Sequence, residues 1–258
     1  DVYKRQLPRM ADSGLVDPMS DDFSAFVFKI QDILRKETEL FFEKRVPQRS
    51  PQFNEEMPIM DQIEKEDKLL SYPYESMRPF LKMLQEAAED KDVVSIKMTL
   101  YRVAKQSKII ASLIEAAENG KDVTILVELK ARFDEENNIV WAKKLEKAGC
   151  HVIYGLVGLK THSKITLVVR REETGIRRYV HLATGNYNDS TAKLYTDCGI
   201  FTCDERFGED ATAVFNMLSG YSEPKRWNKL IVAPIWMKDR FLSLIEREAE
   251  NAKKGLPA

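Results

Sequence analysis

Residues 158–169 read GLKTHSKITLVV, a glycine-led turn that carries His162 and Lys164 into an apolar strand. Alternate residues of a strand face the same side of its sheet. We therefore expect His162 and Lys164 to face one ligand, whereas the alternate apolar residues from Ile165 to Val169 face the opposite side. An imidazole nucleophile beside an ammonium cation suits attack on phosphorus.

Helix and strand patterns alternate on both sides of this stretch. Apolar periodicity and glycine turns predict strands at 93–101, 122–129, 151–154, 163–170, 177–183, 195–202 and 230–232. They predict helices at 76–89, 107–119, 137–148, 204–219 and 236–254. A strand-helix-strand unit followed by a run of strands predicts an α/β domain with a mixed sheet flanked by helices.

The first part of the chain has a different pattern. Apolar residues recur at helical spacing from Phe23 to Phe42, after a plausible N-cap at Ser20 or Asp21, and predict a helix that ends at Val46. Three prolines then interrupt a polar stretch, which reads as a linker. We predict three parts: 1–58 as a helical end with its linker, 59–229 as the main domain, and 230–258 as the start of a truncated further domain.

Composition narrows the function classes. The 40 Lys and Arg nearly balance the 41 Asp and Glu, so any site for a polyanion must be local, and nucleic acid is not an expected partner. Three cysteines fit no zinc-ligand spacing and no paired disulfide framework, which favours a reducing cytoplasm. No apolar run approaches the length of about 20 residues that spans a membrane. The first residue is not Met, and we expect the chain to be a piece of a longer protein.

Three histidines compete for the role of nucleophile. His151 and His181 lie in or beside strand patterns and are expected to be structural. His162 alone follows a glycine turn and has lysines on both sides, although a surface histidine between two solvated lysines is an equally simple reading. A polar turn about twenty residues later, with Gly185 and Asn186, favours the functional reading, because glycine allows close approach and asparagine can bond phosphate oxygens.

Several longer motifs follow one another along the chain. They are LLSYPY at 69–74, IKMTLYRVA at 96–104, VELKARFDEE at 127–136, GLKTHSK at 158–164, TGNYN at 184–188 and LYTD at 194–197. This series resembles the motifs of the phosphohistidine-forming polyphosphate kinases, whose catalytic domains are phospholipase-D-like. The aspartate that usually follows the His-x-Lys motif of phospholipases is absent, since Val168 and Val169 stand there. That departure argues against an ordinary phosphodiesterase.

The resemblance implies a role for particular residues. His162 would take the γ-phosphate of ATP, with Lys164 as a supporting cation. Arg102 and Arg132 would hold phosphate oxygens and, through them, Mg²⁺. A cation is a poor direct ligand for this hard ion.

Further side chains would complete the site. Tyr195 would contact the nucleotide and Asn186 a phosphate, while Glu128 and Asp134 are weaker candidates for reaching the metal. Lysines that would guide the polymer are Lys97, Lys105, Lys108, Lys130 and Lys160.

The implied activity is reversible transfer of the ATP γ-phosphate to polyphosphate, with Mg²⁺ as cofactor. The resemblance further implies a cytoplasmic homo-oligomer when full length, which leaves room for peripheral membrane association. The family completes its site with a second phospholipase-D-like domain, of which 230–258 would be the beginning, and 1–58 would be the end of a head domain. We expect little or no polymer synthesis from the 258-residue chain alone. Two alternatives stay open: a phospholipase-D-type phosphodiesterase, and a non-catalytic fragment that binds polyphosphate.

Overall fold

A computed structural model describes residues 29–43, 45–101, 107–128, 135–156, 158–220, 222 and 224–257. The chain divides into two compact units, residues 1–45 and 46–258.

The described part of the first unit is a short helical segment. Residues 29–33 are helical, and 3-10 turns follow at Leu34–Lys36 and Thr38–Leu40. The prediction of one helix to Val46 is wrong at this end, because Glu37 adopts φ −84° and ψ 75° between the two turns and interrupts the helical path. The predicted N-cap and the first apolar residues of this helix lie outside the described residues.

The described residues of the second unit form a seven-stranded mixed sheet. Its strands are β1 Lys68–Tyr72, β2 Val93–Leu100, β3 Asp122–Val127, β4 His151–Tyr154, β5 Ile165–Glu172, β6 Gly175–Ala183 and β7 Asp197–Thr202. The spatial order is β1-β7-β6-β5-β2-β3-β4. Strands β2, β3 and β4 run parallel, and every other neighbouring pair is antiparallel. The predicted mixed α/β sheet is confirmed.

The described part of the second unit also contains helices. They are α1 Ile59–Ile63, α2 Arg78–Glu89, α3 Lys108–Glu118, α4 Glu135–Lys147, α5 Glu205–Leu218 and α6 Met237–Lys253. Helices α1 to α4 contribute to the larger apolar core, and α5 packs on the opposite face in a second core. Ser107 caps α3 by accepting a hydrogen bond from the backbone N–H of Ile110, which explains why this helix begins where the sequence predicts.

Strand β5 separates the two cores as its alternation predicts. Ile165 and Leu167 are buried in the core beneath α5, with Val169 packed at its margin, and Val168 is buried in the larger core. Lys164 therefore precedes the strand on the side of Val168. The prediction that the alternate apolar residues face away from the lysine is confirmed.

The proline-containing stretch before α1 belongs to the second unit and packs against the sheet domain. The backbone N–H of Gln48 donates to the carbonyl of Tyr74 (2.7 Å), and the N–H of Ser76 donates to the carbonyl of Gln48 (2.8 Å). Phe53 is buried with its ring edge-on to Phe201 at 5.2 Å. The boundary near residue 58 stays a prediction, and the contacts show that this stretch is not a free linker.

The predicted strand at 230–232 is wrong, because these residues form no strand and pair with none of the described strands. The backbone N–H groups of the loop are directed to a buried carboxylate instead. Asp210 on α5 accepts hydrogen bonds from the N–H groups of Asn228 (3.0 Å), Lys229 (2.7 Å) and Leu230 (2.8 Å). A donor bound to a carboxylate is not available to a sheet ladder.

We expect Asp210→Ala to lower the free energy of unfolding by about 2–3 kcal/mol, because it removes the acceptor shared by three backbone donors. Urea denaturation measures this change. The matched control is Glu209→Ala, since Glu209 is exposed and bonds only the Asn228 side chain. A loss no larger than that of the control would contradict the anchoring role of Asp210.

Candidate functional site

The predicted site residues that the structure describes lie at one edge of the sheet. Strand β2 ends at Leu100 and β3 at Val127, and the antiparallel β5 begins at this same edge, since Met98 pairs with Thr166. Strand β6 ends and β7 begins there as well, with Ala183 opposite Gly199. Tyr101 and Glu128, which directly follow β2 and β3, therefore lie at the same end of the sheet as the turn before β5 and the turn after β6.

His162, Lys164 and Tyr101 form the centre of this edge. The rings of Tyr101 and His162 meet edge to face, with centroids 5.1 Å apart and planes at 83°. The Lys164 ammonium lies 5.5 Å from the centroid of the Tyr101 ring and donates a hydrogen bond to the His162 carbonyl (2.5 Å). An exposed imidazole thus stands beside a buried cation, and one aromatic ring contacts both.

Lys164 is only 6% exposed, which is unusual for a lysine. Burial lowers the pKa of its ammonium to about 8, and the carboxylate of Asp197 opposes part of that shift. The side chain is therefore about nine-tenths protonated at pH 7. The site holds a positive charge with little water around it, where electrostatic interactions are strong.

The pKa of His162 is lowered by burial and, secondarily, by the charge of Lys164. Its ring is exposed enough to meet a ligand. A lowered pKa raises the neutral fraction at pH 7, and the neutral ring is the nucleophilic form.

Hydrogen bonds from side chains to its backbone hold the His162 turn in place. The Thr99 hydroxyl donates to the Ser163 carbonyl (2.8 Å) and accepts from the Ile165 N–H (3.1 Å), which fixes the start of β5 against β2. The carboxylate of Glu128, 3% exposed, accepts the N–H of Thr161 (3.0 Å). His162 therefore lies between two anchored residues.

The buried Asn138 on α4 joins the ends of β2 and β3. Its amide nitrogen donates to the carbonyls of Tyr101 (2.8 Å) and Glu128 (2.9 Å). This arrangement positions both Tyr101 and the carboxylate that holds the His162 turn.

The turn after β6 packs closely against Asp197. A Cβ at Gly185 would lie 2.5 Å from a carboxylate oxygen of Asp197, so this close approach requires glycine. Thr184 donates its hydroxyl to the other oxygen of that carboxylate (2.8 Å). The amide oxygen of Asn186 is buried, with no hydrogen-bond partner among the described residues.

Tyr195 lies in the same β6–β7 loop and is 63% exposed, so its ring is open to a ligand. Arg102, Arg132, Asp134, Lys105 and Lys130 lie outside the described residues.

Two of the lysines predicted to guide the polymer, Lys97 and Lys160, differ in their distance from the site edge. Lys97 lies 3.7 Å from the carboxylate of Asp122, near the start of β3 and away from the site edge, whereas Lys160 is exposed in the His162 turn. In the described ranges, no three His, Cys, Asp or Glu side chains form a group that could hold a metal ion.

The other two histidines have different settings. His181 is fully buried, with its ring centroid 4.5 Å from that of Phe80, and burial lowers its pKa to about 3. Its Nδ1 lies 3.0 Å from the Tyr187 hydroxyl. His151 is exposed at the start of β4. The structural reading of His181 is confirmed.

Sequence reasoning assigned no role to Tyr101, Asp197, Thr99 or Asn138. Tyr101 had a usable signal, because it is the last residue of the predicted strand 93–101, where side chains reach the edge of the sheet. Thr99 and Asn138 act through contacts with residues far away in the chain, which spacing does not reveal.

Two further properties bear on the protein's setting. None of the helices in the described part of the chain is long and apolar enough to cross a membrane. Cys150, Cys198 and Cys203 are free thiols.

Comparison with known proteins gives one consistent family. A polyphosphate kinase of Halalkalibacterium halodurans is 58% identical over 231 residues, which are 89% of this chain and 33% of that protein. One of Lactiplantibacillus plantarum is 58% identical over 203 residues, covering 79% and 28%. The chain thus spans about a third of the length of these relatives.

A crystal structure supports the same relationship. Polyphosphate kinase from Porphyromonas gingivalis superposes with a TM-score of 0.75 at 37% identity, over 85% of this chain and 36% of that one. The family defined as polyphosphate kinase C-terminal domain 1 matches residues 58–224. Since this match covers more than half of the sequence, and the related structure shares its fold, the chain belongs to the polyphosphate kinase family.

Proposed function

We propose that this chain is the phosphate-accepting domain of a polyphosphate kinase, an ATP:polyphosphate phosphotransferase in which His162 carries the transferred phosphoryl group. The observation that supports this proposal best is the exposed imidazole of His162 beside the buried ammonium of Lys164 at the edge of the sheet.

The first step is attack of the neutral His162 ring nitrogen on the γ-phosphorus of ATP. A phosphorus–nitrogen bond forms while the bond from that phosphorus to the β–γ bridging oxygen breaks, and ADP leaves with the electron pair. In the second step, a terminal oxygen of polyphosphate attacks the phosphorus of phosphohistidine. The ring nitrogen regains its electron pair, and the polymer is one phosphate longer. Both steps are reversible.

Cations around the phosphoryl group stabilise the transition state, because its negative charge spreads over the three equatorial oxygens. Lys164 supplies one such charge, and Arg102 and Arg132 are proposed to supply bidentate contacts. Asn186 would donate its amide N–H to a phosphate oxygen, and Tyr195 would contact the nucleotide.

Mg²⁺ fits this site as part of the substrate. The carboxylates of Glu128 and Asp197 already accept hydrogen bonds from Thr161 and Thr184, and no cluster of metal ligands occurs in the described ranges. Mg²⁺ commonly keeps several waters and is held by substrate phosphates. The protein residues would then bind the phosphates of MgATP rather than enclose the ion.

A phospholipase-D-type phosphodiesterase is the alternative activity. Its aspartate after the His-x-Lys motif has no counterpart here, and Val169 packs at the margin of the apolar core beneath α5. A valine side chain can neither carry a negative charge nor transfer a proton at this position, so the departure favours the kinase. A non-catalytic, polyphosphate-binding fragment would bind the polymer without labelling of His162.

The full-length protein is proposed to act in the cytoplasm as a homo-oligomer, with the second catalytic domain expected from the family resemblance. On this proposal the 258-residue chain alone makes little or no polymer.

The test is labelling of the full-length protein with γ-labelled ATP and Mg²⁺. We expect a label that is lost in acid and survives base, as a phosphoramidate does, and peptide mapping should assign it to the segment that contains His162. Label that survives acid, or that maps to another segment, would contradict the proposal. Incubation with α-labelled ATP is the control, because transfer of the γ-phosphate leaves the protein unlabelled in that case.

A further inference from the structure

A cleft of about 680 Å³ lies within the second unit, and its function is not explained by the chemistry at His162. Four cationic side chains and one carboxylate line it: Arg49, Arg78, Lys108, Lys193 and Asp189. We call this feature the basic cleft. In a chain whose charges nearly cancel overall, it is a local positive region.

Most of this positive charge is not neutralised by neighbours. Arg49 lies 3.1 Å from the carboxylate of Glu55. Arg78, Lys108 and Lys193 are exposed, and among the described residues none of them has a carboxylate within ion-pair distance. Their charges are available to an anionic ligand.

The topology adds to the positive potential. Arg78 is the first residue of α2 and Lys108 is the first residue of α3, so two helix N-termini meet the basic cleft. A helix N-terminus carries a partial positive charge. Helix α3 follows the end of β2, and α2 runs toward the start of β2, so both N-termini lie at the site edge of the sheet.

The basic cleft adjoins the turn that carries Asn186. Asp189 and Lys193 belong to the same β6–β7 loop as Asn186 and Tyr195. Met77 and Ala192 line both the basic cleft and a much smaller pocket beside Gly185 and Asn186. A ligand in the cleft would therefore lie next to the proposed phosphate-binding turn.

The lining favours a polymer of phosphate over a nucleotide. Among the described residues that line the cleft there is no aromatic side chain on which a base could stack. Several separated cations along one depression suit an anion that repeats its charge along its length.

We propose that the basic cleft binds the inorganic polyphosphate chain behind its reacting end. This inference rests on the proposed function. It adds a region, formed by Arg78, Lys108 and Lys193, that binds the polymer. Three of the lysines expected from the sequence to guide polymer lie in the described ranges, and of these Lys108 lines the cleft.

The experiment measures binding of inorganic polyphosphate to the 258-residue chain by isothermal titration calorimetry. We expect the double variant Lys108→Ala/Lys193→Ala to bind about fivefold more weakly, because it removes two exposed charge contacts to the polymer. The matched control is Lys238→Ala/Lys254→Ala, which removes the same charge from exposed positions at the ends of α6. This control should bind within twofold of the unmodified chain.

Three results would overturn the proposal: equal weakening in the two double variants, unchanged binding in the cleft variant, or ATP that displaces the polymer and binds more weakly to the cleft variant. Thermal melting of each variant checks its fold, and Arg78→Gln/Lys193→Gln serves as a second cleft variant if the first one is unfolded. The labelling of His162 is measured separately. Normal binding by both cleft variants with His162 labelled would reject the cleft alone, whereas cleft-dependent binding without labelled His162 would reject the kinase mechanism.

Discussion

Replacing His162 by alanine should abolish acid-labile labelling of the full-length protein from γ-labelled ATP, a loss of about a thousandfold or more, as for removal of a nucleophile elsewhere. The reason is geometric and electrostatic. His162 lies at the site edge with its ring exposed, beside the Lys164 cation. Its pKa is lowered, which favours the neutral form of the ring. His181 is buried in the core and has no access to ATP.

His151→Ala is the matched control, because His151 is likewise exposed but begins β4, whereas the site edge is at the other end of that strand. We expect this variant to label normally. Both substitutions should change the free energy of unfolding by about 1 kcal/mol or less, since they alter exposed side chains. Retained phosphoramidate label in a folded His162→Ala variant would remove His162 from the proposed role.

The sequence predicts the inner strands well because they are buried on both faces. The runs 165–169 and 123–127 are apolar except for one threonine each, which is typical of such strands. Edge strand β1 was not predicted from its pattern, because its first two residues reverse the expected burial: Lys68 is buried, with its ammonium directed to Glu66, and Leu69 is exposed. A lysine whose stem is buried and whose charge reaches a carboxylate breaks the simple rule that apolar residues face inward.

The site was predictable in part for a related reason. Alternation along the chain predicts that His162 and Lys164 face the same side of the sheet. The hydrogen bond from Lys164 to the His162 carbonyl and the contact of both residues with Tyr101 agree with this. The burial of Lys164 depends on β2 packing beside β5, about sixty residues away in sequence, and no local pattern contains that information. The same holds for Asn138, whose two carbonyl partners belong to different strand ends.

Lys164→Met should lower the rate of phosphoryl transfer to His162 by about 10²–10³-fold, the effect of removing one preorganised electrostatic group from an active site. Methionine places an unbranched apolar side chain where the lysine stem is buried, and it carries no charge. Rapid-quench measurement of label at saturating ATP reports this step. Lys160→Met is the matched control, because Lys160 lies in the same turn and is exposed. Equal rates in the two variants would contradict a role for the buried charge.

The pH dependence gives an independent test of the same charge. Since the pKa of Lys164 is about 8, its ammonium loses its proton as pH rises through 8, and transfer should fall there in the unmodified protein. The ordinary pKa of lysine in an unfolded chain is higher, about 10.4, so between the two values the unfolded state binds more protons. The contribution of Lys164 to the free energy of unfolding therefore rises between about pH 8 and pH 10.4, while the rate of transfer falls. Over this range we expect the free energy of unfolding measured in urea to rise while the transfer rate falls, and we expect neither change in Lys164→Met. This result would distinguish loss of the catalytic charge from general unfolding in alkali.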